Sequence, residues 1–190
     1  MIRTKLTAGA LAFVAAFVPF TGVAGAGSGG NNVVVAQNAD PSREMRRLGL
    51  KVSTAGSTVD NENVAYARSY DCVGCRTLAV AVQAVLVPKP PSSATPKNAA
   101  VALNERCSHC ETFAYAYQYV VSTGGPDHLT KAAKNRVASI KSEMARVQAS
   151  GADFATIDAR LDALANQLWT VINDDISAQG GTPSGTPQKA

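Results

Sequence analysis

Hydrophobic and polar positions alternate along the first half of the chain and follow a helical period in the second half. Alternating or β-branched runs predict strands at residues 33–36, 50–54 and 63–70. Residues 43–48 could form one helical turn between the first two strands. The pattern therefore predicts a small antiparallel sheet in the N-terminal half.

The C-terminal half is typical of a helical hairpin. Thr130 is a candidate N-cap, and an apolar stripe runs from Ala133 to Val147 through Val137, Ile140 and Met144. After a turn at residues 150–152, a second stripe runs through Ile157, Leu161, Leu164, Leu168 and Val171. Residues 127–178 are therefore predicted to form an αα-hairpin. Residues 179–190, rich in Gly, Pro, Ser and Thr, are predicted to be a disordered tail.

Between these halves the chain repeats itself with a shift of 35 positions. Ten identities fall in the window 63–85 without a gap, and they include both cysteines of two C-x2-C motifs. The matched pairs are Asn63/Asn98, Ala65/Ala100, Ala67/Ala102, Cys72/Cys107, Cys75/Cys110, Thr77/Thr112, Ala79/Ala114, Ala81/Ala116, Gln83/Gln118 and Val85/Val120. The copies span about residues 61–87 and 96–122, and a proline-rich loop separates them.

The run after each C-x2-C motif is ambiguous between helix and strand. The repeat-matched residues recur with period two, as in a strand, whereas bulky residues such as Leu78, Val82 and Val85 also fit a helical spacing. A helix after each motif is favoured, because alanine is the best helix former and about 13 residues is long for a strand. The predicted fold class is α+β, with a small antiparallel sheet, a duplicated C-x2-C unit and the αα-hairpin.

Residues 1–26 have the pattern of a secretory signal peptide. Arg3 and Lys5 precede the apolar stretch 6–18, and Ala24-Gly25-Ala26 offers small residues for cleavage. A cleaved signal is favoured over a retained anchor, since Pro19 interrupts the roughly 20 apolar residues that a span needs. The mature chain would comprise a duplicated cysteine-motif domain at 27–126, the hairpin and the tail, with a secreted or cell-envelope location.

The charge of the mature chain does not favour an anionic partner. Loss of Arg3 and Lys5 reduces the 18 basic residues to 16, which leaves a net charge of +2 against 14 acidic residues. So small a charge predicts no nucleic-acid binding. No later apolar stretch is long enough for a membrane span.

Cys72, Cys75, Cys107 and Cys110 are the candidate site residues. Export favours two disulfides, with three possible connectivities, and bridges between the copies would stabilise more than bridges within each motif because they close longer loops. A four-thiolate zinc site is an alternative, although 31 residues between the pairs exceed the usual ribbon spacing of roughly 15–20. Thiol–disulfide exchange is a further alternative. It is less favoured because neither motif has the neighbouring Trp or the βαβ context of a thioredoxin-like site.

Other residues are better explained by structure than by catalysis. Gln83 and Gln118 are repeat-matched amides in apolar runs and are predicted to bond backbone or each other. His109 and His128 are predicted to be turn residues, and Tyr115, Tyr117 and Tyr119 to be core side chains with polar tips rather than a binding surface. The chain has no H-E-x-x-H, G-x-S-x-G, P-loop or G-x-G-x-x-G motif.

The two units D-C-V-G-C-R-T-L-A-V-A-V-Q-A-V-L-V and N-E-R-C-S-H-C-E-T-F-A-Y-A-Y-Q-Y-V-V resemble an uncharacterised group of exported actinobacterial proteins. Members carry paired C-x2-C-x-T-x-A units followed by a helical segment, and the likeness covers about residues 61–176. The resemblance implies export and the repeat, and no activity. Some members bear an automatic label of peptide zinc metalloprotease, which this sequence contradicts because neither histidine lies in H-E-x-x-H.

The sequence therefore predicts a non-enzymatic, disulfide-stabilised protein of the cell envelope or exterior, with the αα-hairpin as a possible surface for a protein partner. A thiol-disulfide oxidoreductase and a four-cysteine zinc module are the alternative functions. No cofactor is predicted apart from the zinc of that alternative.

Overall fold

The computed structural model describes residues 30–190, so the predicted signal peptide at 1–26 lies outside the described residues. Nine strands and two helices follow one another along this part of the chain. They are β1 (Asn32–Asn38), β2 (Glu44–Thr54), β3 (Thr58–Val59), β4 (Glu62–Tyr70), β5 (Arg76–Val87), β6 (Ser93–Ala94), β7 (Lys97–Glu105), β8 (Glu111–Ser122), α1 (Lys131–Gln148), α2 (Phe154–Ala178) and β9 (Pro187–Lys189).

The long strands form two parallel sheets that the chain visits alternately. Sheet A has the order β1-β4-β7, and sheet B has the order β2-β5-β8 with β9 added at its end in the antiparallel direction. The short strands β3 and β6 also pair in parallel. Each passage through sheet A and then sheet B makes one rung, and three rungs stack as a short β-solenoid.

The strand register places the repeat-matched residues side by side. Asn63 lies opposite Asn98 in sheet A, and Gln83 lies opposite Gln118 in sheet B. The matched alanines, threonines and valines are paired in the same way. The 35-residue period is therefore the length of one rung.

The predicted fold class is wrong in two respects. The runs after the C-x2-C motifs are strands β5 and β8 rather than helices, and the long strands pair in parallel rather than antiparallel. The predicted helical turn at 43–48 is also wrong, because residues 44–48 belong to strand β2. The period-two pattern was the correct signal in each of the two cysteine-containing copies.

Strand β5 shows why the helical prediction failed. Leu78 and Val80 belong to the core beneath the helices, whereas Ala79 and Ala81 belong to the core between the sheets. A strand with both faces buried reads as a continuous apolar run, and this burial outweighs the helix propensity of its alanines.

Small residues line the space between the two sheets. Ala65, Ala67, Ala81 and Ala116 are fully buried there. The first rung has the larger Val34 in sheet A and compensates with Gly49 in sheet B, where an added Cβ would lie 2.6 Å from Val34 Cγ2. The close approach of the sheets therefore requires small side chains in every rung.

The helical hairpin covers the other face of sheet B. Thr130 caps α1 by accepting a hydrogen bond from the Ala133 amide, as predicted, and Asp153 caps α2 through the Thr156 amide. The apolar stripes of both helices join the core formed by β5 and β8. Within residues 30–190, neither helix is long and apolar enough to cross a membrane.

The C-terminal segment is not the disordered tail that its composition predicts. Strand β9 pairs with β8, with Pro187 opposite Tyr119 and Lys189 opposite Tyr117. The Lys189 ammonium lies 2.7 Å from an Asp158 oxygen and 2.9 Å from an Asp162 oxygen of α2. Backbone pairing and two ion pairs together fix this segment.

A stacked cysteine corner as candidate functional site

The cysteines lie where the chain turns from sheet A to sheet B. In each rung a short turn joins the two strands, and the three turns stack upon one another. The Ser42 amide donates to the Val73 carbonyl at 2.8 Å, and the Gly74 amide donates to the Ser108 carbonyl at 2.9 Å. We call this stack of residues 39–43, 71–75 and 106–110 the cysteine corner.

The corner brings all four sulfur atoms together. The Cys72 and Cys75 sulfurs are at disulfide distance, 2.22 Å apart, as are those of Cys107 and Cys110 at 2.06 Å. Between the motifs, Cys72 Sγ lies 3.2 Å from Cys107 Sγ and 3.6 Å from Cys110 Sγ. The pairing is therefore within each motif, which is one of the three connectivities that the sequence leaves open.

The two pairs differ in exposure. Cys72 and Cys75 are only 4% and 0% exposed, because the first rung covers them, and Cys75 Sγ lies 3.1 Å from the Asp40 carbonyl oxygen. Cys107 and Cys110 are partly exposed in the last turn of the stack. Any reagent in solution therefore meets the Cys107–Cys110 pair first.

Left-handed backbone conformations shape each turn. Ser42, Gly74 and His109 occupy corresponding positions with φ values of 55°, 66° and 55°. Asp71 and Arg106 also have positive φ values, of 50° and 47°. Since only glycine adopts this region without a steric penalty, every turn of the stack carries mild strain at a non-glycine residue. His109 is an exposed turn residue at this position.

An ion pair links the second turn to the third on the outside of the corner. The Arg106 guanidinium donates to both oxygens of Asp71, at 2.5 and 2.8 Å. These hydrogen bonds from Arg106 lower the pKa of the Asp71 carboxyl. Both side chains are exposed, so the pair fixes the geometry of the turns more than it stabilises the fold.

The corner supports three kinds of chemistry. Oxidised, it holds two disulfides. With one pair reduced, a thiolate of that pair would lie within reach of a sulfur of the other pair, as disulfide exchange requires. With both pairs reduced, the sulfurs of Cys72, Cys75 and Cys110, which lie within 4.8 Å of one another, and the neighbouring Cys107 could act as ligands of a zinc ion.

Two ladders of amide side chains run between the sheets, towards the end that lies away from the corner. Asn32 donates to Asn63 and Asn63 donates to Asn98, each at 2.8 Å, and all three also donate to backbone carbonyls of sheet B. Gln118 donates to Gln83 at 2.8 Å, and Gln83 donates to the Gly30 carbonyl at 2.9 Å. The repeated amides therefore bond one another and the backbone.

The three tyrosines of β8 lie against α2 rather than on the surface. The hydroxyls of Tyr115 and Tyr119 reach oxygens of Asp162 and Asn173, at 3.0 and 2.7 Å. Burial, with the Asp162 charge second, raises the pKa of Tyr115. His128 lies far along the chain from the corner, and its Nδ1 is 2.6 Å from an Asp127 oxygen.

The first rung was missed at the sequence level because it has no cysteines. Its turn supplies the Asp40 carbonyl against Cys75 and the Ser42 amide against Val73. The signal was present as N-V-x-x-A, which begins at Asn32 and again at Asn63. The first and second rungs are offset by 31 residues in sheet A but by 32 in sheet B, because the first turn is one residue shorter than the second. This change of offset hides the first copy of the repeat in the sequence.

Comparison of the chain with protein-family models, with curated proteins and with solved structures found no match.

Proposed function

We propose that the protein is a non-enzymatic, extracytoplasmic interaction protein, in which the disulfides hold the solenoid corner and the outer face of sheet A binds a protein partner. Export is supported by the N-terminal sequence pattern, by the resemblance to exported proteins and by cysteine pairs at disulfide distance. The exposed apolar character of sheet A is the observation that carries the binding role.

The outer face of sheet A has an apolar middle between the Lys97–Glu62 and Arg68–Glu105 ion pairs, and it is unpartnered among the described residues. Of the five large hydrophobic residues that are well exposed in this part of the chain, four lie on it, and in the register Val35, Tyr66 and Val101 form one row across the three strands. Besides Val35 and Val101, the well-exposed residues on this face are Val33, which is 47% exposed, and Leu103, which is 37% exposed. The fifth is Val73 in the cysteine corner, which is 53% exposed. Apolar surface concentrated on one face of a protein marks an interaction site.

The αα-hairpin fits the partner role less well. Its apolar residues are used in packing on sheet B, and the residues left outside are mainly polar and charged. The outer face of sheet A measures about 14 by 30 Å from ordinary strand spacings. That is roughly 400 Å² per partner, about half of what a standard stable interface buries, so a transient complex with a different protein is favoured over a permanent homodimer.

Site-specific photo-crosslinking in the producing cell tests the binding role. A photoreactive residue at Tyr66 should capture a defined partner, whereas the same residue at Ser139, exposed on α1, should not. The double variant Val35→Glu/Val101→Glu should abolish capture at position 66 while leaving the unfolding temperature nearly unchanged. Equal capture at both positions, or no effect of the glutamates, would contradict the proposal.

Intact-mass measurement of the exported protein tests the disulfide role separately. Two disulfides lower the mass by about four hydrogens relative to the fully reduced chain, whereas four free thiols would refute this part of the proposal. Near-stoichiometric zinc in protein purified without chelators would instead favour the zinc module.

A second candidate function is thiol–disulfide exchange, which the partial exposure of Cys107–Cys110 favours. A client dithiol would reduce this disulfide and become a disulfide itself. The Cys107 thiolate, with its sulfur 3.2 Å from Cys72 Sγ, could then form a Cys72–Cys107 bond and release the Cys75 thiolate.

Trapping experiments distinguish this candidate. Cys110→Ser leaves Cys107 partly exposed and should accumulate mixed disulfides with clients, whereas Cys75→Ser leaves the buried Cys72 and should trap little. Exchange no faster than with free cysteine would exclude the activity.

A further inference from the structure

On the far side of the molecule from the outer face of sheet A, a cleft opens between strand β2 and helix α1. It has a volume of about 530 Å³, within the usual range for small-molecule sites. Its lining combines aliphatic side chains with three basic ones. The lining residues are Leu50, Val52, Ser53, Thr54, Leu86, His128, Leu129, Lys134, Val137, Ala138 and Lys141.

The cleft exists because α1 is attached to β2 at both ends and stands away from it between them. The Gln148 side chain donates to the Arg47 carbonyl at 2.9 Å near one end, and the Thr54 hydroxyl donates to the Asp127 carbonyl at the other. Arg47 and Thr54 are seven residues apart on an edge strand, or about 23 Å. The opening between them is therefore long and narrow.

The floor of the cleft is aliphatic. Leu50 and Val52 of β2 are only partly buried there, and Val137 of α1 is partly exposed above them. No Phe, Tyr or Trp side chain lines the cleft. A floor of branched aliphatic groups suits a flexible alkyl chain.

The rim of the cleft is cationic. Lys134 and Lys141 are seven residues apart on α1, which places them on the same side of the helix about 10 Å from each other. Neither forms an ion pair with any described residue, and no acidic side chain lines the cleft. Two unpaired ammonium groups beside an apolar floor are complementary to an anion that carries an alkyl chain.

We propose that this cleft binds a long-chain fatty carboxylate, with the alkyl chain on Leu50, Val52 and Val137 and the carboxylate between Lys134 and Lys141. The site is independent of the partner-binding face proposed above, since it lies on another sheet and shares no residue with it. The ligand class follows from the shape, the aliphatic floor and the unpaired lysines together.

Calorimetric titration of the purified protein with dodecanoate, below its micellar concentration, tests the proposal. Binding should be saturable at one site. Dodecanol, which lacks the charge, and butyrate, which lacks the chain, should each bind at least about tenfold more weakly. Equal binding of either probe, or no saturable binding of dodecanoate, would overturn the proposal.

Charge-reversal variants locate the site. Lys134→Glu/Lys141→Glu should weaken dodecanoate binding by at least about tenfold. The matched control Lys131→Glu/Arg136→Glu makes the same change of charge on exposed residues of α1 outside the cleft and should alter affinity less than about twofold. The same loss in both variants would mean that net charge, and not this cleft, governs binding, which would overturn the proposal.

A filling variant tests the cleft without changing its charge. Ala138→Trp places a large side chain at an exposed helix position within the lining and should abolish dodecanoate binding. The unfolding temperature of the unliganded protein reports whether the variant is folded. Full affinity in folded Ala138→Trp protein would contradict the site, and the milder Lys134→Gln/Lys141→Gln variant provides the test if the tryptophan prevents folding.

Discussion

Single amide side chains hold the two sheets together at the residue scale. Asn63 is fully buried, accepts from Asn32, and donates to Asn98 and to the carbonyls of Ala81 and Tyr117. A buried polar group of this kind costs free energy unless every partner is present. Repetition of the asparagine supplies that partner in the next rung.

Asn63→Ala should lower the free energy of unfolding by about 3 kcal/mol, because it removes from a buried position the donor to the Asn98 side chain and to the carbonyls of Ala81 and Tyr117. Asn98→Ala is the control. It makes the same chemical change in the less buried last rung and should cost about 1 kcal/mol. Urea unfolding measures both values, and equal costs would show that position in the stack is irrelevant.

The order in which the two disulfides are reduced should also depend on the rung that holds each of them. Dithiothreitol should reduce Cys107–Cys110 before Cys72–Cys75, since only the former is partly exposed. Alkylation at timed intervals followed by peptide mass mapping gives the order. Simultaneous reduction would indicate that the stack opens as a unit before either bond is attacked.

Each disulfide closes a loop of only four residues, so its effect on stability is limited. Loop entropy gives about 2 kcal/mol for a pair within one motif against nearly 4 kcal/mol for a bridge between copies. Cys107→Ser/Cys110→Ser should therefore lower the free energy of unfolding by about 2 kcal/mol, measured in urea. A loss above about 4 kcal/mol would point to bridges between the motifs, because the variant would then remove both of them.

At the element scale, β8 joins the solenoid to the helices. Its Tyr115, Tyr117 and Tyr119 side chains point towards α2, and their hydroxyls find polar partners there. Burial raises the pKa of each of the three phenols. The contact between β8 and α2 is thus coupled to the protonation of tyrosine.

Stability should fall as the pH rises above about 10, the ordinary tyrosine pKa. The folded state keeps the phenolic protons to higher pH than the unfolded state, so deprotonation favours unfolding; the contribution is complete below pH 10 and is lost above it. Urea unfolding between pH 8 and 11 should show a smaller decline in Tyr115→Phe than in the original protein. The same decline in both would exclude Tyr115 as a cause.

At the scale of the whole molecule, the fold is a stack whose last rung needs a cover. Strand β9 covers the edge of β8, and the Ala190 amide donates to the Ala116 carbonyl at 3.0 Å. Exposed edge strands promote association with other chains. The C-terminal segment therefore protects one edge of sheet B.

Deletion of residues 183–190 should increase concentration-dependent association, measured by size-exclusion chromatography with light scattering. Lys189→Ala is the control, because it removes the ion pairs with Asp158 and Asp162 but keeps the strand. It should behave like the intact chain. Association of both variants to the same extent would assign the effect to charge rather than to the uncovered strand edge.

The sequence predicted the helical hairpin, the strand at residues 63–70 and the 35-residue repeat of this protein. These features, including the Thr130 cap of the hairpin, depend on residues that are close in sequence or identical in type. Such signals need no knowledge of which surface a segment packs against.

Only the tertiary structure decided the state of the runs after each cysteine motif, the parallel pairing and the pairing of the sulfurs. A run such as β5 is apolar at every position because helices cover one face and sheet A covers the other, and that double burial selects the strand over the helix that its alanines favour. The sulfurs pair within motifs because each tight turn places the Cα atoms of its own two cysteines 6.2 and 5.9 Å apart, a distance that a disulfide spans.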